Sequence, residues 1–265
     1  MNEEKKSTIQ VGGSLEKATK GDYSIDIKAV LQEAWSITLA SRKVINITLF
    51  FTFALGLIVT FIFSSYLGGI ETVLNDQKLA SLLNILVTLV VYPFLAGVEM
   101  IAIYHVLGLR THQRLVFAFL KRGSWVAVCA LLSSMLVTLG LELFYLPGIF
   151  LAVALTLVLP LVVEKRLSPL KAIILSIQST RHQWFQIFAL YLVSLAALVL
   201  ILLPLITLAQ TAISVVGVVF FFVGLSYLAP FFYHVKGILY REIFGMQLSI
   251  NNQGSNEDSN TTFAA

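Results

Sequence analysis

Glu99 is the side chain in this sequence that is best placed to do chemistry. It lies within the apolar run LAGVEMIAIYH, residues 95–105, where an ionisable group is costly and marks a candidate for function. Four roles are open to it: binding a proton or a substrate, pairing with a neighbouring Lys or Arg, reaching the headgroup layer, or specifying how helices pack. The sequence does not choose among them.

Two further glutamates lie near the ends of predicted spans. Glu142 comes shortly before Tyr145 at the end of an apolar run, and we expect it to be solvated. Glu164 is followed directly by Lys165 and Arg166, so we expect a local ion pair. Neither position supplies the paired carboxylates that acid–base catalysis requires.

The histidines are the other candidates for chemistry, and they lie on different segments near one predicted interface: His105, His112, His182 and His234. They lack the HxxxH and HExxH spacings of helical zinc sites. His105 and His234 occupy similar positions at the ends of two predicted spans. A metal-binding pair is one hypothesis for them, and two interfacial histidines is the stronger one.

Other catalytic motifs are missing from the sequence. There is no serine beside a base and no Gly-rich phosphate loop, since Gly12-Gly13 is not followed by a strand–helix unit. The single cysteine, Cys129, excludes an intrachain disulfide and a CxxC motif, and its apolar surroundings indicate a packed side chain. The sequence therefore predicts a protein that is not an enzyme and that holds neither metal nor cofactor.

Composition places the chain in a membrane. Of its residues, 58% are hydrophobic and only 12% are charged, about half the charged share of a soluble domain, and the mean hydropathy is +0.88. The net charge of +4 does not indicate nucleic acid binding, because the basic residues lie between apolar runs rather than in one patch.

The elements that would position these side chains are predicted to be helices. We expect an all-α polytopic membrane protein with six transmembrane helices and interleaved cytoplasmic amphipathic helices. The predicted spans are 44–67, 79–107, 125–145, 148–163, 184–208 and 212–235. They belong to one membrane domain, residues 25–245, between a disordered polar arm, 1–24, and a disordered tail, 246–265. Four spans contain a proline, at Pro93, Pro160, Pro204 and Pro230, and prolines can kink helices.

Amphipathic stretches precede the three spans that lead away from the basic side. Trp35, Trp125 and Trp184 lie in or just after these stretches, where we expect them to act as interfacial anchors. The pattern indicates either three repeated units, each a surface helix followed by a hairpin, or the preference of Trp for one interface.

Orientation follows from the basic residues. Of the 18 Lys and Arg residues, 17 lie on one predicted side of the membrane and Lys78 alone lies on the other. The positive-inside rule then places both termini in the cytoplasm. Eight of these cations flank the second and fourth spans and are candidates for contact with anionic lipid headgroups: Arg110, Arg114, Lys121, Arg122, Lys165, Arg166, Lys171 and Arg181.

The stretch from Tyr145 to Phe188 carries the clearest local motif. Pro147-Gly148 predicts a turn, Pro160 interrupts the apolar run that follows, and Ser168-Pro169 predicts a helix start with a serine N-cap. With Glu164-Lys165, Ala172 and Ser176, these residues resemble the YciC-like family of uncharacterised bacterial integral membrane proteins. That family is related to the membrane domain attached to some glycerophosphodiester phosphodiesterases. The resemblance implies a multi-pass protein of the bacterial inner membrane and little about activity. The phosphodiesterase chemistry of the fused enzymes belongs to a separate soluble barrel, so the relation is no ground for calling this chain an enzyme.

These observations favour a non-enzymatic inner-membrane protein that acts through lipid or protein-partner contacts, with envelope homeostasis as its expected setting. The alternative is a small-molecule or lipid transporter or channel, which predicts a polar cavity containing Glu99. An enzyme acting on a lipid is the third hypothesis. The sequence leaves the identity of a protein partner and the oligomeric state open.

Overall fold

Helices form nearly all of the structure. The computed structural model describes residues 7–250. In chain order the elements are β1 Ser7–Val11, α1 Leu15–Lys20, α2 Ile27–Tyr66, α3 Ile70–Asn75, α4 Gln77–Val106, α5 Leu115–Ala118, α6 Gly123–Leu143, α7 Tyr145–Ala154, α8 Val158–Val163, α9 Pro169–Thr180, α10 Trp184–Thr207, α11 Ser214–Phe244 and β2 Met246–Ile250. Single 3-10 turns, Phe119–Arg122 and Arg181–Gln183, join α5 to α6 and α9 to α10.

Five helical segments are long and apolar enough to cross a membrane: Ile27–Tyr66, Gln77–Val106, Leu115–Leu143, Pro169–Thr207 and Ser214–Phe244. The all-α prediction is confirmed at this level, and the architecture is that of a multi-pass membrane protein. The predicted span 148–163 is not one continuous helix. The chain there forms the two short helices α7 and α8, separated by a turn at 155–157.

The first predicted surface helix is not separate from the first predicted span. The amphipathic stretch that contains Trp35 and the span 44–67 were expected as two elements, but α2 is one helix of 40 residues. At 1.5 Å per residue it is about 60 Å long, twice the ~30 Å hydrocarbon layer. No Gly or Pro lies between residues 40 and 44 to end it. At its start, the Asp26 side chain accepts hydrogen bonds from the backbone N–H groups of Lys28 and Ala29.

The structure differs from the predicted disordered arm and tail. β1 and β2 pair in antiparallel register, with Val11 opposite Met246, and α1 is capped by Ser14 at its start and by Gly21 at its end. We call residues 7–24 and 246–250 the terminal clasp. Residues 1–6 and 251–265 lie outside the described part of the chain.

Contacts with distant segments explain why such a polar arm is ordered. The backbone N–H of Gly13 donates to the Arg241 carbonyl at 2.9 Å, and the Tyr23 hydroxyl donates to the Ser179 carbonyl at 2.6 Å. Burial raises the pKa of Tyr23 to about 12, so the phenol remains a donor at physiological pH. The Gln183 side-chain amide donates to the Tyr23 carbonyl, and its oxygen accepts from the backbone of Ile25 at 2.8 Å.

The core lies in the half of the bundle next to the terminal clasp. In α4 every residue of 96–106 is buried, and in α11 burial is concentrated after position 230. The distal halves of α6, α10 and α11 expose most of their apolar side chains. The helices therefore pack as hairpins that converge at the clasp end, which is where the candidate functional side chains are found.

Candidate functional site

Glu99 is paired with a lysine from another helix. Its Oε1 lies 2.5 Å from Nζ of Lys236 on α11, and the residue is only 6% exposed. Its second carboxylate oxygen has no hydrogen-bond partner within residues 7–250. Lys236 also lies over the Phe232 ring, 6.0 Å from its centroid. Of the four roles predicted for Glu99, the structure therefore shows pairing with a lysine.

Close packing of α4 against α11 brings the two charges together. A Cβ atom placed on Gly237 would lie 3.1 Å from the Val106 side chain and 3.2 Å from the Ala102 carbonyl oxygen. Glycine at this position therefore lets the backbones approach, as small residues do between membrane helices. Lys236, the preceding residue, is held beside the Glu99 level of α4 as a result.

His105 and His234 form part of a buried hydrogen-bonded chain. The Thr38 hydroxyl donates to the Ala34 carbonyl at 2.7 Å, so it accepts from Nδ1 of His234 at 2.8 Å. Nε2 of His234 then accepts from Nδ1 of His105 at 3.1 Å. Nε2 of His105 accepts from the Thr111 hydroxyl at 2.6 Å. In this arrangement each ring donates one hydrogen bond and accepts one, as a neutral imidazole does.

This chain of hydrogen-bonded side chains joins α2, α4, α11 and the loop after α4. His234 is fully buried between the helices and His105 is 9% exposed. Across residues 7–250 there is no group of three or more His, Cys, Asp or Glu side chains that could hold a metal ion. The similar sequence positions of the two histidines indicated a pair. No sequence pattern indicated their threonine partners.

A second polar network lies beside the terminal clasp. Glu164 accepts from the Tyr240 hydroxyl at 2.7 Å and pairs with Lys165 at 3.1 Å, which also donates to the Gly245 carbonyl at 3.0 Å. The local ion pair expected for Glu164 is therefore present, and it additionally ties the end of α8 to the end of α11.

Pro160 explains the break between α7 and α8. A proline ring clashes with the carbonyl four residues earlier, which is that of Thr156, within the turn. The Ala154 carbonyl, freed by the break, accepts from the Ser176 hydroxyl of α9 at 2.5 Å. A buried backbone carbonyl without its helical partner requires such a donor. Ser176 thus connects α9 to the end of α7.

Replacing Ser176 by alanine is expected to lower the free energy of unfolding by about 1–3 kcal/mol, because the buried Ala154 carbonyl loses its closest donor. Denaturant titration of the detergent-solubilised protein measures this. The control is Ser134→Ala, since the Ser134 hydroxyl is exposed and donates within its own helix. If the two variants are equally stable, the Ser176 hydroxyl does not stabilise the break between α7 and α8.

The remaining motif residues set geometry. The turn predicted at Pro147-Gly148 is wrong, because both residues lie within α7 and the chain turns at Phe144 instead. Gly148 packs against α6, where a Cβ atom would lie 2.5 Å from the backbone nitrogen of Leu141. Pro169 begins α9, as expected. Ser168 occupies the N-cap position, but its side chain forms no capping hydrogen bond.

The tryptophans have different surroundings. Trp35 and Trp125 are about half exposed, and Trp35 stacks on Tyr227 with the ring centroids 6.2 Å apart. Trp184 stacks on Phe188 at 4.9 Å and donates to the Phe150 carbonyl at 3.2 Å. Trp184 therefore connects the start of α10 to α7.

The eight candidate lipid-binding cations fall into two groups. Arg122 donates to the Val162 carbonyl at 3.1 Å, and Lys165 belongs to the Glu164 network. The other six are exposed and form no ion pair with a carboxylate within residues 7–250; we call them the basic surface: Arg110, Arg114, Lys121, Arg166, Lys171 and Arg181. Beside them α9 exposes Leu170 (64%) and Ile174 (54%).

No family model matches the chain, and no curated protein sequence or solved structure is significantly similar to it. The resemblance to the YciC-like family therefore stays a prediction.

Proposed function

We propose that this chain crosses the bacterial inner membrane six times and keeps both termini in the cytoplasm. Pairing of β1 with β2 supports the proposal, because termini on one side require an even number of crossings. Five long segments then need a sixth, and α7 with α8 can supply it. Gly148 contacts Gly140 at one end of α6, and Val162 contacts Arg122 at the other, so α7 and α8 together traverse the same depth as α6.

The terminal clasp lies on the side that carries the basic residues, which is the cytoplasmic side by the positive-inside rule. This supports the orientation expected from the sequence. Membership of the YciC-like family remains part of the proposal and rests on the motif around Pro147, Ser168 and Pro169.

The function we assign to this architecture is non-enzymatic: the cytoplasmic face holds anionic lipid headgroups, and a protein partner in envelope homeostasis would act through the same face. The observation that carries this is the basic surface, whose six exposed cations have no carboxylate partner within residues 7–250. A Lys or Arg near an anionic membrane surface contributes about 1 kcal/mol. The apolar side chains of Leu170 and Ile174 beside Lys171 match a helix lying in the interface.

Internal contacts favour this assignment, because they hold the basic surface on a fixed frame. Lys165 pairs with Glu164 at 3.1 Å and donates to the Gly245 carbonyl at 3.0 Å, and it thereby anchors the segment that presents Arg166. Cations on a rigid element lose less conformational freedom when they bind a headgroup.

A transporter or channel is the second candidate. It is favoured by the unpartnered oxygen of Glu99 and by the broken helix pair α7 and α8, since broken helices line substrate sites in transporters. It predicts a polar cavity at Glu99, whereas Glu99 lines neither the groove between α2, α3 and α4 nor the groove at the start of α4.

Lipid selectivity tests the leading proposal. The full chain is placed in bilayer discs that contain spin-labelled phosphatidylglycerol or phosphatidylcholine. We expect several-fold enrichment of the anionic lipid at the protein at low salt, falling as ionic strength rises, because salt screens exposed charges. Equal enrichment of both lipids at low salt would contradict the assignment.

A further inference from the structure

A groove lies between α2, α3 and α4 at the end of the bundle remote from the terminal clasp. Its volume is about 450 Å³, within the ~300–1,000 Å³ range of ligand pockets. Its walls include Thr60 of α2, Val73 of α3, and Leu83, Val87 and Val91 of α4. This lining is largely apolar, so the groove suits a hydrocarbon chain.

The position of α3 restricts what can enter. α3 follows the end of α2 and precedes the start of α4, and its side chains Ile70, Val73 and Leu74 line the groove. It therefore covers the groove on the side of the aqueous loop. The walls on either side are membrane-spanning helices, so an occupant enters laterally from the hydrocarbon layer.

Asn84 is an exposed polar side chain of the groove. Asn84 accepts from the Thr88 hydroxyl at 3.2 Å through its side-chain oxygen, but its amide nitrogen has no acceptor within residues 7–250. An unpaired N–H donor is costly at membrane depth. Asn84 lies about 10 Å along α4 from Gln77, close to the boundary of the hydrocarbon, where phospholipid ester carbonyls are found.

We propose that this groove binds a diacyl phospholipid of the leaflet remote from the terminal clasp. One acyl chain lies along Leu83, Val87 and Val91, and the Asn84 amide nitrogen donates to an ester carbonyl. A phospholipid fits better than a second copy of the chain, because the groove is concave and covered at one end by α3. The assignment rests on the membrane topology proposed above but not on the basic surface.

Native mass spectrometry of the full chain, released from detergent with added phospholipid, tests the proposal. We expect the wild type to retain one phospholipid in this groove. Asn84→Leu should weaken retention about fivefold, the ratio given by a hydrogen bond of ~1 kcal/mol. Val87→Trp should abolish it by filling the groove. The control is Leu89→Trp, which alters an exposed residue of α4 outside the groove and should retain the lipid.

The outcomes separate this site from the basic surface. Retention in the groove should be equal for phosphatidylglycerol and phosphatidylcholine and insensitive to salt, since Asn84 is neutral. Unchanged retention in both Asn84→Leu and Val87→Trp would overturn the proposal. It would also be overturned if Asn84→Cys formed a disulfide between two chains in membranes, because a second copy would then occupy the groove.

Discussion

Replacing Lys236 by methionine is expected to lower the free energy of unfolding by about 3–5 kcal/mol. Methionine retains the length of the apolar stem but removes the cation 2.5 Å from Glu99. Glu99 would then be a buried carboxylate without any partner, because its other oxygen is already unsatisfied. This is the largest stability effect that we expect from a single substitution.

A double substitution distinguishes the ion pair from simple packing. Glu99→Gln combined with Lys236→Met removes both charges, and its cost should be well below that of Lys236→Met alone, because no charge remains buried. Lys78→Met is the control, since Lys78 is exposed at the other end of the bundle. Titration with denaturant in detergent measures all three. If the double variant is as unstable as Lys236→Met, then Lys236 does not stabilise the fold by compensating the charge of Glu99.

Replacing Gly12 and Gly13 by valine is expected to release the terminal clasp. A Cβ atom on Gly12 would lie 2.1 Å from the Arg241 carbonyl oxygen, and one on Gly13 would lie 2.4 Å from the carbonyl oxygens of Glu242 and Ile243. Gly12 also has a φ of +82°, which valine rarely adopts. These clashes are with backbone atoms and cannot be relieved by side-chain rotation.

A designed disulfide reports on the clasp. Val11 and Met246 are register partners, and Cα atoms of antiparallel partners are about 4.5–5.5 Å apart, within disulfide range. Val11→Cys with Met246→Cys should form a disulfide efficiently in oxidised membranes, and adding the two valines should reduce the yield to background. Cys129 is buried and remote in sequence. Gly69→Val is the control, because Gly69 also has positive φ but open space around it; it should leave the yield unchanged. A high yield despite both valines would contradict the docking of the arm.

Long apolar runs made the spans predictable, because a helix forms its backbone hydrogen bonds within itself. Such a helix can therefore be identified without reference to the segments that pack against it. The break before Pro160 was not predicted, since residues 148–163 were expected to form one span. Pro93, Pro204 and Pro230 lie inside continuous helices, so a proline did not by itself predict where a span divides.

The terminal clasp and the partner of Glu99 were not predictable in this way. Lys236 lies 137 residues from Glu99 in the chain, and nothing in the local pattern around either residue indicates the other. The arm is polar, and its composition matches that of disordered segments. Its order depends on glycines that allow backbone contact with α11, which becomes evident only when both segments are placed together.

The measurement that most directly tests the basic surface compares two variants with equal loss of charge. Lys171→Gln with Arg181→Gln removes two cations of the basic surface. Lys20→Gln with Lys78→Gln removes one cation that pairs with Glu16 and one at the opposite end of the bundle. The readout is enrichment of spin-labelled phosphatidylglycerol by the full chain in bilayer discs at low salt. We expect the first variant to lose most of the enrichment, because each cation near the anionic surface contributes ~1 kcal/mol, and the second to match the wild type. Equal enrichment by both variants would contradict a lipid-binding role for the basic surface.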